Sequence, residues 1–474
     1  MNKRFRLILL LLFSFSYSFS QSGSQSPYSR YGLGDIQYSG FTSQLAMGGF
    51  SIAQNDSLSL NFNNAASYAA LRLTVFDMAV RGERSRYKID DATGKRYNGG
   101  LSYIAIGFPI IYKKWGGSAG IIPYSTTGYN IQTTGTISDT VSYKNLFTGQ
   151  GGLNRLYFGN GFHITRNLSL GFNTSYLFGT INKTRNTEFI EQGFYSSAYK
   201  VSSTYGTLNF DFGGLFKTDS LFYIHKKDFK RYTVRDSITA VGDTIKITDD
   251  NLPRELSSME KKRLKASRWL RLNIGVTGTY SDHVTETDEI LSYTYKKFAS
   301  TQLPKDTLLY QPNLKNDVNL PSYIALGISL QDHYHWLIGA DATFQQWSKY
   351  IQSDVQDSLK NSFKLSFGGE LTPKFNSINF FQRVTYRAGF RYTQTQLNLR
   401  NTPINEFAFT FGFGIPIRKD NVTAAFGNYF SRMNVSFELG QRGTTDNHLL
   451  KEQYFRINLG LNITEQWFIK RKYD

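Results

Sequence analysis

Cysteine is absent from the whole chain, which excludes a disulfide framework and leaves no residue for lipoprotein acylation. Long apolar runs are almost absent too. Residues 7–19 form one apolar stretch, too short and too weakly flanked for a spanning helix, and no later window reaches the required length. Histidine is scarce. His163, His225, His283 and His448 are scattered, and His333 and His335 share a strand face without a third ligand nearby, so no metal site is expected. No Ser/His/acid or paired-carboxylate grouping stands out, so neither catalytic residues nor a bound cofactor are expected. Gly116-Gly117-Ser118-Ala119-Gly120 has the spacing of a nucleophile elbow, but that device needs a strand-to-helix turn and no helix follows here. Acidic residues are outnumbered, 36 Asp and Glu against 54 Lys and Arg, for a net charge of +18.

What the chain does contain is alternation. Phe407, Phe409, Phe411, Phe413 and Ile415 are separated by Ala408, Thr410, Gly412 and Gly414. Phe455, Ile457, Leu459, Leu461 and Ile463 alternate with Tyr454, Arg456, Asn458, Gly460 and Asn462, and 167–178 repeats the pattern. Each strand therefore has one apolar face and one small or polar face, and the polar faces carry Asp341, Glu370, Arg387 and Arg391. Strands of about ten residues with this dyad period point to a closed all-β barrel whose apolar side meets lipid. The aromatic content of 16% suits interfacial girdles on such a barrel.

Residues 1–20 read as a signal peptide: Lys3, Arg4 and Arg6 form a basic start, 7–19 the apolar core, and Ser18 and Ser20 supply small residues for cleavage before Gln21. Export removes the chain from cellular nucleic acid, so the positive charge is assigned instead to outer-membrane lipid, anionic lipopolysaccharide or periplasmic partners. About fourteen strands are expected between 71–84 and 451–465, an antiparallel up-and-down barrel spanning 71–465. Short turns are expected at 113–116, 166–167, 332–335 and 418–421, on the periplasmic side. Longer outer loops are expected near 85–98, 134–152, 184–199, 286–319, 351–360, 397–404 and 441–450.

Residues 21–70 are rich in Gly, Ser and Asn yet keep apolar residues throughout, so they read as an ordered N-terminal plug for a bore too wide to be filled by its own side chains. Residues 219–267 break the turn rule with about fifty charge-dense residues on the short-turn side. They read either as a solvated periplasmic insertion or as a docking element for a periplasmic protein. In the third strand Pro123 sits between Gly120 and Gly128, where a closed barrel has no edge to hold a proline, so a kink or bulge is expected there. It is either a harmless irregularity or a side port from the lumen into the membrane.

Leu320-Pro321-Ser322-Tyr323-Ile324-Ala325-Leu326-Gly327, followed by Trp336-Leu337-Ile338-Gly339-Ala340-Asp341 and Gln346-Trp347-Ser348, resembles the FadL-type outer-membrane transporters of long-chain fatty acids and aromatic hydrocarbons. Tyr386 to Tyr392 and Phe411 to Gly414 resemble a C-terminal signature of that family. Ala46 to Gly49 and Asn61 to Ala66 resemble its hatch, with Ala65 where proline is usual. The resemblance implies a hatch built on Gly48, Gly49, Asn61, Asn63, Asn64 and Ala65, and lateral release of hydrophobic substrates at the Gly120–Pro123–Gly128 kink. The 466–474 tail departs from the family by not ending on an aromatic, and Trp467 and Phe468 are assigned to recognition by the barrel assembly machinery. The expected function is passive uptake of a small hydrophobic compound across the Gram-negative outer membrane. The alternative is a non-transporting barrel scaffold that docks a protein, as in a secretion system.

Overall fold

The computed structural model describes residues 26–38, 40–137, 141–189, 193–218, 222–223, 269–280, 283–298, 301–332, 335–350, 359–374, 377, 379–417 and 431–465. The 1–20 leader, nearly all of 219–267, His333 and the tail with Trp467 and Phe468 lie outside the described residues.

Among the described residues sixteen long strands follow one another: β1 (Thr74–Ile89), β2 (Ala92–Ile111), β3 (Trp115–Ile137), β4 (Val141–His163), β5 (Leu168–Phe189), β6 (Ser196–Lys217), β7 (Trp269–Thr279), β8 (His283–Phe298), β9 (Thr301–Asn319), β10 (Tyr323–Asp332), β11 (Trp336–Gln345), β12 (Ser362–Leu371), β13 (Thr385–Leu399), β14 (Thr402–Ile417), β15 (Ser431–Arg442) and β16 (Lys451–Glu465). β1 to β7 pair antiparallel in chain order, and so do β10 to β16. β7 passes directly to β10, and β16 returns to β1 from Glu465 opposite Thr74 to Lys451 opposite Lys88. The result is a closed fourteen-stranded barrel. β8 and β9 stand outside that ring as a hairpin, with β8 laid on the upper part of β6 through residues 285–295 and 196–206.

The wall inverts the partition of a water-soluble protein. Leu326 and Ile338 are 57% and 58% exposed, whereas Arg391 and Glu406 are 1% and 2% exposed. Ile324, Ile328, Phe367, Phe409 and Leu459 share the exposed apolar face, and Asp341, Ser366, Glu438 and Asn458 the buried polar one. An apolar exterior around a polar interior is stable only where the outside solvent is hydrocarbon, and the closed ladder satisfies the backbone groups there. Among the described residues no helix is long and apolar enough to cross a membrane. The buried arginines meet carboxylates inside. Arg391 contacts Glu406 and Glu438, Arg456 contacts Glu83 and Glu438, and Arg442 contacts Asp35 and Glu452. Breaking one such pair would leave an uncompensated buried charge, which is strongly destabilising.

Several expected outer loops are strand instead. Residues 85–98 continue β1 and β2 to a tight turn at Asp90, whose φ of 46° is left-handed. Residues 286–319 are the β8–β9 hairpin, and much of 134–152 extends β3 and β4. Beyond the lipid a strand no longer has to alternate apolar with polar, so Ser85, Tyr87 and Tyr97 keep pairing without the period that marks the wall.

Candidate functional site

Residues ahead of β1 fold against the inward faces of the strands. A short helix, α1 (Thr42–Leu45), is closed by Gln44, whose Oε1 accepts from Phe41 N–H at 3.0 Å. The chain then turns through Gly48 and Gly49, both with left-handed φ (69° and 83°). A Cβ on Gly48 would lie 2.6 Å from the Phe390 carbonyl oxygen and 2.8 Å from that of Phe367, so only glycine fits against the β12–β13 wall. Gly48 N–H donates to Thr410 Oγ1 at 2.7 Å, and Thr410 in turn donates to the Ala46 carbonyl at 3.1 Å.

Asp341 Oδ2 accepts from Ser51 N–H at 2.6 Å and from Ile52 N–H at 2.8 Å. The three asparagines singled out in the sequence converge on this turn. Asn61 Nδ2 donates to the Ser51 carbonyl, Asn63 Nδ2 to Ser51 Oγ, and Asn64 Nδ2 to the carbonyls of Ile52 and Gly214. Asn64 also caps the 3₁₀ turn Ala65–Ala70, its Oδ1 accepting from Ala66 N–H, with Ala65 at the first helical position where proline would also fit. Asn173 donates to the Phe62 carbonyl, Ser329 to that of Ala53, and Thr42 N–H donates to Tyr103 OH, which donates to Asp77. Thr410, Asn173, Ser329 and Tyr103 were not singled out in the sequence, and Asp341 only as a charge on a polar strand face and as part of the stretch that resembles the FadL type. The only mark of the first four is a polar group on the inward face of an alternating strand.

The wall is incomplete at β3. Its ladder with β2 runs from Trp115 opposite Ile111 to Ile121 opposite Ile104, and among the described residues no pairing joins the two strands above that point. On the other side β3 stays paired with β4 to its outer end, with a bulge at Tyr124 between Pro123 and Ser125. Gly120 sits just below the break, where a Cβ would meet the Ile104 carbonyl oxygen at 2.5 Å. Gly128 lies higher and donates its N–H to Ser29 Oγ, so it is tied to the inner segment and is not part of the bulge. The edge that β2 leaves is met from inside: Asp35–Ile36 pairs with Thr126 and Ser125, and Gln37 N–H donates to the Tyr124 carbonyl at 2.9 Å. Gln37 also accepts from Arg81 Nη1 and donates to Thr126 Oγ1.

Cavities flank this strip. One of about 190 Å³ lies in the bore beside Asp35–Tyr38, lined by the aromatic rings of Tyr28, Phe62, Tyr124, Tyr323 and Trp347, together with Arg155, Lys364 and Glu406. Arg155 lies 4.9 Å from the Tyr124 ring centre and 5.2 Å from that of Phe62, a cation held on aromatic faces. Burial pushes the Tyr28 phenol up despite Arg442 nearby, so it donates to the Leu450 carbonyl as a neutral hydroxyl. A second cavity of about 40 Å³ lies at the gap, lined by Leu45, Leu101, Ser102, Ile122 and Pro123. Gln37 and Tyr38 border both. The arrangement places a small, partly aromatic chamber next to an unpaired slot in the wall, with one strip of the inner segment between them.

Known structures share this fold at low identity. The Pseudomonas putida toluene transporter TodX is 14% identical, with a TM-score of 0.52, covering 91% of this chain and 100% of that one. A Pseudomonas aeruginosa FadL homologue is 13% identical at 0.52, covering 90% and 99%, and the Ralstonia pickettii toluene transporter TbuX 13% identical at 0.50, covering 90% and 98%. The resemblance to FadL-type barrels therefore holds for the fold. No curated protein matches the chain. The family model that does match carries a different name and covers residues 1–240 and 250–474: the chain belongs to the BamG family.

Proposed function

We propose that this protein is an outer-membrane channel for passive uptake of a small hydrophobic compound. The compound is taken up at the outer hairpins, held in the chamber beside Tyr38, and released sideways into the membrane between β2 and β3. The observation that carries the reading is the early end of the β2–β3 ladder at Ile104 and Ile121, beside a cavity walled by Leu45, Leu101, Ile122 and Pro123. A break in the ladder inside a bilayer is costly unless it is used, because unpaired backbone groups cannot be solvated by lipid. In this reading residues 26–73 act as the hatch, Gly48, Gly49, Asn61, Asn63, Asn64 and Ala65 fix its shape, and Gln37 and Tyr38 separate chamber from slot. Gly120 and Pro123 set the slot's lower rim.

The test is uptake of an apolar fluorescent probe into proteoliposomes. Ser102→Trp, which fills the small cavity, and Pro123→Val, which restores a ladder donor, should each slow uptake by about tenfold, equivalent to roughly 1.4 kcal/mol in barrier. Wild-type rates in both folded variants, for every apolar probe tried, would remove the lateral route.

A further inference from the structure

At the end of the barrel where the turns are short, a cavity of about 680 Å³ opens below residues 54–58 and 69–72. Both ends of the ring, Thr74 and Glu465, lie opposite each other at this same end, which for a bacterial barrel is the periplasmic one. Seven Lys and Arg side chains line the cavity against three carboxylates, Asp56, Asp332 and Glu370, and Glu370 is already engaged by Arg387 at 2.9 Å. Arg72, Lys113, Lys114, Arg166, Arg271 and Arg432 make no ion pair with any described residue. Higher in the bore Arg391, Arg442 and Arg456 are each matched by carboxylates. The contrast within one lumen is one of degree: among the described residues the closed bore leaves Arg81 and Lys364 without an ion pair but matches Arg391, Arg442 and Arg456, whereas six of the seven cations at the mouth make none.

The cations also come from separate places on the rim. Lys113 and Lys114 sit at the β2–β3 turn, Arg166 at the β4–β5 turn, Arg271 near the start of β7 and Arg432 near the start of β15. A concave mouth lined by one sign of charge focuses its potential outward and raises the local concentration of opposite charge. We propose that this vestibule docks an acidic polypeptide segment presented from the periplasm. A lone small anion could engage only one sector of so dispersed a ring, whereas an extended chain with several carboxylates spans it. A lipid headgroup would have to leave its leaflet, since these side chains line the bore and not the outer wall. Trp336, Leu337 and Ile164 at the same mouth offer apolar contact to the segment's other side chains.

The proposal is independent of the uptake reading and is tested by binding alone. The full-length protein in detergent is titrated with a fluorescein-labelled peptide of alternating Glu and Ser, followed by anisotropy, with a Lys and Ser peptide as control. Binding should be confined to the acidic peptide and weaken about tenfold between roughly 50 mM and 300 mM salt, as expected for charges at a solvated mouth. It should weaken about tenfold or more in Lys113→Glu/Lys114→Glu/Arg166→Glu. Arg271→Glu/Arg432→Glu, on another sector, should act in the same direction, so failure of one variant to fold leaves the other to decide. Folding is scored by the heat-dependent gel mobility of the intact barrel. Unchanged affinity in folded reversal variants overturns the proposal. So does equal binding of inorganic polyphosphate or of phosphatidylglycerol vesicles at matched charge, which would mean a general anion surface.

Discussion

Asp341 sits on β11 with its carboxylate turned into the bore, and one of its oxygens takes both the Ser51 and Ile52 amides. Removing it strands two buried donors, each costing about 1–3 kcal/mol when left unsatisfied. Asp341→Ala should therefore speed amide exchange across residues 47–55 by about tenfold or more while leaving the β10–β12 amides at wild-type rates. Exchange in 47–55 that does not change would mean that Asp341 does not hold the inner turn. Gly48→Ala should be worse tolerated than Gly49→Ala, because only the former places a Cβ under 3 Å from two wall carbonyls. The measurement is the urea midpoint for loss of protease protection of the inner segment, and the difference should be about 1–3 kcal/mol, the usual range for overpacking. At this scale the sequence is half legible. Gly48, Gly49 and the Asn61–Asn64 group carry their own signal, since glycine and asparagine mark tight turns. Thr410 and Asn173 do not, because a polar residue on an inward face does not state which segment it will meet.

For the elements, legibility follows the solvent. Where lipid touches the strand, alternation is compulsory, and β10, β11, β12 and β16 lie close to the boundaries the pattern dictates. Outside lipid the constraint lapses, which is why 85–98 and 286–319 read as loops although they are paired. The break between β2 and β3 is legible only through Pro123. The backing strip Asp35–Gln37 is invisible in sequence, because two residues of pairing leave no period. These boundaries make the β8–β9 hairpin separable: among the described residues its ladder with the ring is with β6 alone, above the stretch where β6 pairs with β7, and its main side-chain tie beyond that is Lys297 on Glu188 of β5. Replacing residues 285–317 by a short Gly-Asn turn should leave the ring closed, with its resistance to SDS at room temperature and its β-type circular dichroism unchanged. Loss of both would mean that the hairpin is part of the barrel's folding unit.

For the whole molecule, the organising fact is the inverted partition, and it makes a prediction that residue exposure alone does not. Ile328 on β10 and Leu308 on β9 are both well exposed, at 50% and 62%. In water the two positions would be equivalent, and lysine at either would cost little. In a bilayer they differ, because Ile328 faces outward in the middle of a ring strand while Leu308 belongs to a hairpin whose ladder with the ring runs along β6 only beyond the stretch where β6 pairs with β7. Lysine on the lipid face near the midplane costs about 2–4 kcal/mol, falling towards zero outside the hydrocarbon. Ile328→Lys should therefore lower the folding free energy into phosphatidylcholine vesicles by that amount, read from urea titrations of tryptophan fluorescence, and Leu308→Lys should stay within about 0.5 kcal/mol of wild type. Equal effects at the two sites would place both in one solvent, and the assignment of the apolar exterior to lipid would fail with them.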